Sequence, residues 1–136
     1  MRGTFVLDAN AVLDFLENNP GAERVERLFQ DSRDQRVTLL MSVVNWGEVF
    51  YHAWQHHGEE TARGSLAKLR QIPFGLVSVD EQQSLQAGEI KVIHKIPYAD
   101  SLAAALAISR QATLVTSDRD FEKLGRRLSV LWINRR

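Results

Sequence analysis

Cysteine is absent from the 136 residues, which excludes a disulfide framework and any zinc–thiolate centre. No apolar run approaches the roughly 20 residues needed to span a bilayer. The first residues also lack the long apolar core of a secretion signal, because Arg2 leads into a short strand that ends on an acid. Residence in the cytoplasm, away from membranes, is the expectation. Net charge is lacking too: 17 Lys and Arg balance 17 Asp and Glu, so the whole molecule is not a polycation made to coat nucleic acid. No G-x-x-x-x-G-K-[ST] loop or G-x-G-x-x-G fingerprint is present to cradle nucleotide phosphates. The H-E-x-x-H metalloprotease motif is also missing, so His52, His56 and His57, close together on one predicted helix, read as a polar face. What remains is an ordinary globular composition, 44% hydrophobic and 25% charged, in a length suited to one domain over 1–136.

The chain opens on Thr4-Phe5-Val6-Leu7-Asp8-Ala9-Asn10. Its short apolar run suits a strand buried on both faces. Val12, Leu13, Phe15 and Leu16 then follow a helical pattern, and Asn18-Asn19-Pro20-Gly21 breaks it. An amphipathic helix is predicted over 22–34, a strand over 37–41, and a helix over 43–57 capped by Ser42. In that helix Trp46, Val49, Phe50, Ala53 and Trp54 form one apolar face. Gly58 separates it from a helix over 59–71, and a third strand follows over 76–79. Asp80 and Gln83 suit a capping box for the next helix. After Pro97 come an alanine-rich helix over 98–110, a strand over 113–116 and a fifth strand over 128–133. Strands alternating with helices predict right-handed crossovers and a central parallel sheet of about five strands, in three α/β/α layers.

Four acids stand at element ends or on otherwise apolar segments. Asp8 and Asp118 follow predicted strands, while Glu48 and Asp100 lie early in helices that begin at the same edge of a parallel sheet. That edge is where open α/β sheets bind ligands. Each acid also has a plainer role. Asp8 or Asn10 suits a helix cap, Glu48 a solvated helix face, and Asp100 the positive end of its helix. Ser117 and Asp120 fit an S-x-x-D capping pattern that would leave Asp118 a bystander. Gathered together, however, four carboxylates would repel one another unless a hard divalent cation resolved the repulsion, and Mg²⁺ or Mn²⁺ suits such oxygen ligands.

These blocks carry a family resemblance. Val6-Leu7-Asp8-Ala9-Asn10, Ser42 with Glu48, Tyr98-Ala99-Asp100-Ser101-Leu102-Ala103-Ala104-Ala105 and Thr116-Ser117-Asp118-Arg119-Asp120-Phe121 occur in that order. The chain resembles PIN-domain ribonucleases and, within them, the VapC-type toxins of toxin–antitoxin pairs. The resemblance implies hydrolysis of RNA phosphodiesters with Mg²⁺ or Mn²⁺, with Asp8, Glu48, Asp100 and Asp118 as the catalytic and metal-holding acids. Asn10, Thr116, Ser117 and Asp120 are the expected supporting residues around them. It also implies a cognate antitoxin protein and a homodimer. Basic residues are denser toward the C-terminus, where Arg119, Lys123, Arg126 and Arg127 are candidates for the RNA backbone. Two other readings stay open. One is a non-catalytic RNA-binding or interaction module of the same fold. The other is a metal-dependent phosphatase with Asp8 as phosphoryl acceptor, although such enzymes expect an aspartate where Asn10 stands.

Overall fold

A computed structural model of the chain describes residues 2–135. Five strands are each joined to the next by one or more helices or turns. They are β1 (Gly3–Leu7), β2 (Val37–Ser42), β3 (Gly75–Val77), β4 (Thr113–Thr116) and β5 (Val130–Trp132). The helices are α1 (Ala9–Leu16), α2 (Ala22–Arg33), α3 (Val43–His57), α4 (Glu59–Leu69), α5 (Glu81–His94) and α6 (Tyr98–Ser109). A 3₁₀ segment, Arg119–Arg127, kinks at Gly125 between β4 and β5. All strand pairs are parallel, in the order β3-β2-β1-β4-β5. Helices cover both faces, which is the expected three-layer α/β/α arrangement.

Strand periodicity divides the core in two. Phe5 and Leu7 point with Leu39, Met41 and Val115 toward α1, α2 and α3, whereas Val6 and Leu114 point toward α5 and α6. Val6 and Leu7 are wholly buried on opposite faces. Fully burying an aliphatic side chain contributes roughly 1.5–3 kcal/mol, so β1 is anchored from both sides. The alanine-rich α6 is buried along most of its length, because small side chains let it lie close against β1 and β4. At the turn into α2, Gly21 adopts φ 103°, and a β-carbon there would meet the Ile133 carbonyl oxygen at 2.9 Å. Only glycine fits both conditions.

The differences from sequence expectation are local. β3 and β5 are shorter than the runs 76–79 and 128–133, as suits edge strands paired on one side. Trp54 does not complete the apolar face of α3. Val49 and Ala53 are buried, but Trp54 is 42% exposed and lies under the Arg63 guanidinium of α4. The three histidines gather around Glu17, with His52 and His57 Nε2 at 3.8 and 3.5 Å from its carboxylate. Among the described residues no helix is long and apolar enough to cross a membrane.

Candidate active site

The chain leaves β1 toward β2 on one side and returns to place β4 on the other. The crevice above the carboxyl ends of β1 and β4 is therefore the topological switch point of the sheet. Asp8 sits at its floor. The carboxylate is buried and caps α1, with Oδ1 accepting the Ala11 N–H at 2.8 Å, while Oδ2 accepts the Thr116 hydroxyl at 2.5 Å. Capping and a place in the crevice thus coexist in one side chain. The same Thr116 oxygen accepts the Asp118 N–H at 2.9 Å, so one hydroxyl ties the end of β1 to the turn that leaves β4.

Asp118, not Ser117, caps the 3₁₀ segment, its Oδ1 accepting the Asp120 N–H at 2.9 Å. The S-x-x-D capping pattern is therefore not used. Ser117 turns away, donating its hydroxyl to Asp14 at 2.6 Å, and Asp120 is freed to stand with the other acids. Asp100, Asp118 and Asp120 each present an oxygen within 4.8 Å of the others. Asn10 reaches the free oxygen of Asp118 at a long 3.4 Å. Of the four acids picked out from sequence, Asp100 and Asp118 belong to this close trio, and Asp8 and Glu48 border it. Asp120, expected only in support, is its third member.

Glu48 reaches the crevice from α3 through a residue that sequence reasoning passed over. Asn45, one turn earlier, is buried, and its Nδ2 donates to Glu48 Oε1 at 2.8 Å and to the Ala99 carbonyl at 3.2 Å. That amide fastens α3 to the first turn of α6 beside Asp100. Asn45 Oδ1 is buried without a hydrogen-bond partner among the described residues. The available signal was an asparagine one turn before an acid, on a helix whose next turns, Val49 and Ala53, are buried.

Electrostatics set this crevice apart. Burial pushes the Asp8 carboxyl up to about 8, despite the hydrogen bonds from Thr116 and Ala11, and Asp100 and Asp118 raise it further. Asp100 is pushed up to about 7, first by burial and then by Asp118, Glu48 and Asp120. Lys123, 3.6 Å from Asp120, is the basic side chain that pairs with the trio among the described residues. A set of hard oxygen donors, close together and short of positive charge, fits Mg²⁺ or Mn²⁺ by charge and donor type.

The basic candidates lie outside the crevice. Arg119 pairs with Glu122 at 3.2 Å, and Arg127 with Glu89 at 3.0 Å and with His94. Lys123 is shared between Asp120 and the Lys95 carbonyl. Arg126 is exposed, with no acidic partner among the described residues.

With this geometry in hand, the comparisons are specific. The PIN domain family model matches residues 5–127. The chain is similar in structure to VapBC-1 from nontypeable Haemophilus influenzae, with a TM-score of 0.73 and 23% identity over 97% of this chain and 99% of that one. VapBC2 from Rickettsia felis, solved bound to a DNA fragment from its promoter, gives a TM-score of 0.73 and 18% identity over 94% and 97%. Mycobacterium tuberculosis VapC20, described as a sarcin–ricin loop cleaving toxin, gives 0.70 and 16% over 89% and 95%. No curated protein sequence matches the chain.

Proposed function

The chain belongs to the PIN domain family, and from that premise we propose that it is a metal-dependent endoribonuclease, the toxin of a toxin–antitoxin pair. The observation that carries the reading is the convergence of acids from separate elements on one crevice. Asp100, Asp118 and Asp120 bring their oxygens within 4.8 Å, while Asp8 and Glu48 flank them. The solved proteins of like fold include a ribosomal-RNA-cleaving toxin and several toxin–antitoxin complexes, which supports RNA as substrate and a small antitoxin as partner. Action in the cytoplasm is part of the same proposal.

Asp100, Asp118 and Asp120 would hold a Mg²⁺ or Mn²⁺ ion, with Asp8 beneath them. When bound, such an ion lowers the pKa of a coordinated water and neutralises charge on the scissile phosphate. The chain's own residues supply the rest. Asn45 fixes Glu48 through Oε1, leaving Oε2 to accept a proton from a water in line with the phosphate. Thr116 holds the Asp8 and Asp118 backbones in register, so the two sheet-borne acids move as one unit. Ser117 and Asn10 restrain the same turn through Asp14 and Asp118.

The phosphatase reading loses ground here. A phosphoryl acceptor must reach its substrate, whereas Asp8 is 2% exposed and both its oxygens already accept hydrogen bonds. The deciding experiment is cleavage of end-labelled transfer and ribosomal RNA by purified protein, with Mg²⁺, Mn²⁺ and EDTA arms and an Asp118→Asn control prepared identically. Discrete fragments from the wild type alone, lost in EDTA, are the expected outcome. Retention without cleavage would favour a binding module instead.

A further inference from the structure

The helix α5 turns two faces in different directions. Gln83, Ala87 and Ile90 are buried, and the helix packs on α6. On the opposite side Leu85 is 69% exposed and Val92 77% exposed, more than any other large apolar side chains among the described residues. Isolated exposed aliphatics are commonplace, but these two are ordered along a single line. Glu81, Leu85, Gly88, Val92 and Lys95 follow one another in steps of four and three, which places them on one ridge. Ile93, 59% exposed, widens the ridge on one flank.

Gly88 at the middle is unexplained by the single chain. A β-carbon added there would have nothing within 4 Å, and its backbone does not require glycine. In a helix interior, alanine would be more favourable by about 0.8–1 kcal/mol. Glycine at that place makes sense where another backbone approaches closely. The ridge also has a particular symmetry. Read from either end it runs charge, aliphatic, glycine, aliphatic, charge, with an acid at one end and a base at the other. Neither Glu81 nor Lys95 has an ion-pair partner among the described residues.

From this we propose that α5 is the contact between two copies of this chain, packed antiparallel about a two-fold axis beside Gly88. Leu85 of each copy then meets Val92 of the other, the glycines allow close approach at the crossing, and Glu81 faces Lys95 at both ends. Such self-complementarity is what a two-fold contact requires. Antiparallel packing also opposes the two helix macrodipoles. The proposal stands apart from the nuclease reading, because association is measured without RNA or metal.

The test is sedimentation velocity on the full chain over a concentration series. The wild type is expected to sediment as a dimer that dissociates on dilution. Val92→Asp should weaken association at least about tenfold while leaving the thermal midpoint of the diluted monomer unchanged, since Val92 is exposed there. Glu81→Lys and Lys95→Glu should each weaken the dimer by like-charge contact, and the double exchange E81K/K95E should restore it, because opposite charges again meet across the axis. A wild type that stays monomeric at the highest concentration would overturn the proposal. So would a dimer indifferent to Val92→Asp, or a double exchange no better than its parents. If Val92→Asp instead abolishes capture of an added protein or RNA while the wild type remains monomeric, α5 serves a different partner and the two-fold contact is wrong.

Discussion

The acidic crevice and the basic 3₁₀ segment are joined through Asp118 and Asp120, yet they treat charge in opposite ways. In the segment, exposed charges are largely matched. Glu122 lies between Arg119 and Arg135, whose guanidinium groups hold its carboxyl below the usual range. In the crevice, burial and neighbouring acids drive Asp8 and Asp100 upward, and one lysine beside Asp120 answers the trio. Matched charges in water contribute little to stability and leave nothing for a ligand to gain. Half-buried acids without counter-charge cost stability, and a fold retains them where a cation or a reaction uses them. The contrast teaches which charges to follow: unmatched carboxylates mark the site, while the neighbouring ion pairs mark ordinary surface.

Removing one acid from each region sharpens this most. Asp100→Asn deletes a crevice carboxylate while keeping its shape, and cleavage should fall by about 100-fold or more. Its metal-free thermal midpoint at pH 8 should be unchanged or higher, because a repelling charge has gone. Glu122→Gln, in the matched region, should leave cleavage within about twofold, as surface substitutions usually stay within ±0.5 kcal/mol. Paired cleavage and melting measurements on both variants check this. Equal losses of activity would mean that the comparison fails.

The second test uses pH. Asp8 and Asp100 titrate near 8 and 7 in the folded chain, against 3.8 as the ordinary value. Between those limits the folded state holds protons that the unfolded chain has released, so stability must fall as pH rises through this window. Their contribution is fully present below about pH 4 and is lost as pH climbs through the folded values. Melting in EDTA should therefore show a midpoint declining from pH 5 to pH 8. Mg²⁺ or Mn²⁺ should raise the midpoint more at pH 8 than at pH 5, because a cation binds the ionised form and competes with protons at low pH. A metal effect independent of pH would separate binding from these carboxylates.

Much of this arrangement was legible before any coordinates. The run Phe5–Leu7 announced a central strand, and an acid directly after it had to stand at the ligand-binding edge. The sheet, its parallel sense and the alternation of helices followed from spacing and breakers. What escaped was contact between segments far apart in sequence. Asn45 looked like a neighbour of Glu48, and its tie to the Ala99 carbonyl, 54 residues away, has no local signature. Asp120 looked like a cap because Ser117 lay three residues before it. The Thr116 hydroxyl and the Asp118 cap decided the register of that turn, and they sent Ser117 to Asp14 instead. Trp54 fitted a helical stripe, but α4 crosses that face with Arg63 over the indole ring, leaving it partly in solvent.

The smallest expected effect comes from the basic side, where the arginines differ in how committed they are. Arg127 is held by Glu89 and His94, so contacting a phosphate would first require giving up an existing pair. Arg126 is exposed and carries no such commitment among the described residues. Each phosphate contact that is lost lowers the salt dependence of RNA binding by about one charge in the log–log slope. Arg126→Ala should therefore weaken RNA binding and flatten that slope by about 1, while Arg127→Ala should change it less and also loosen the contact between α5 and the 3₁₀ segment. Binding titrations of the Asp118→Asn protein at several salt concentrations read the slope without cleavage. If the R126A/R127A double variant leaves the slope unchanged, the backbone contacts lie elsewhere, and the matched surface is structural throughout.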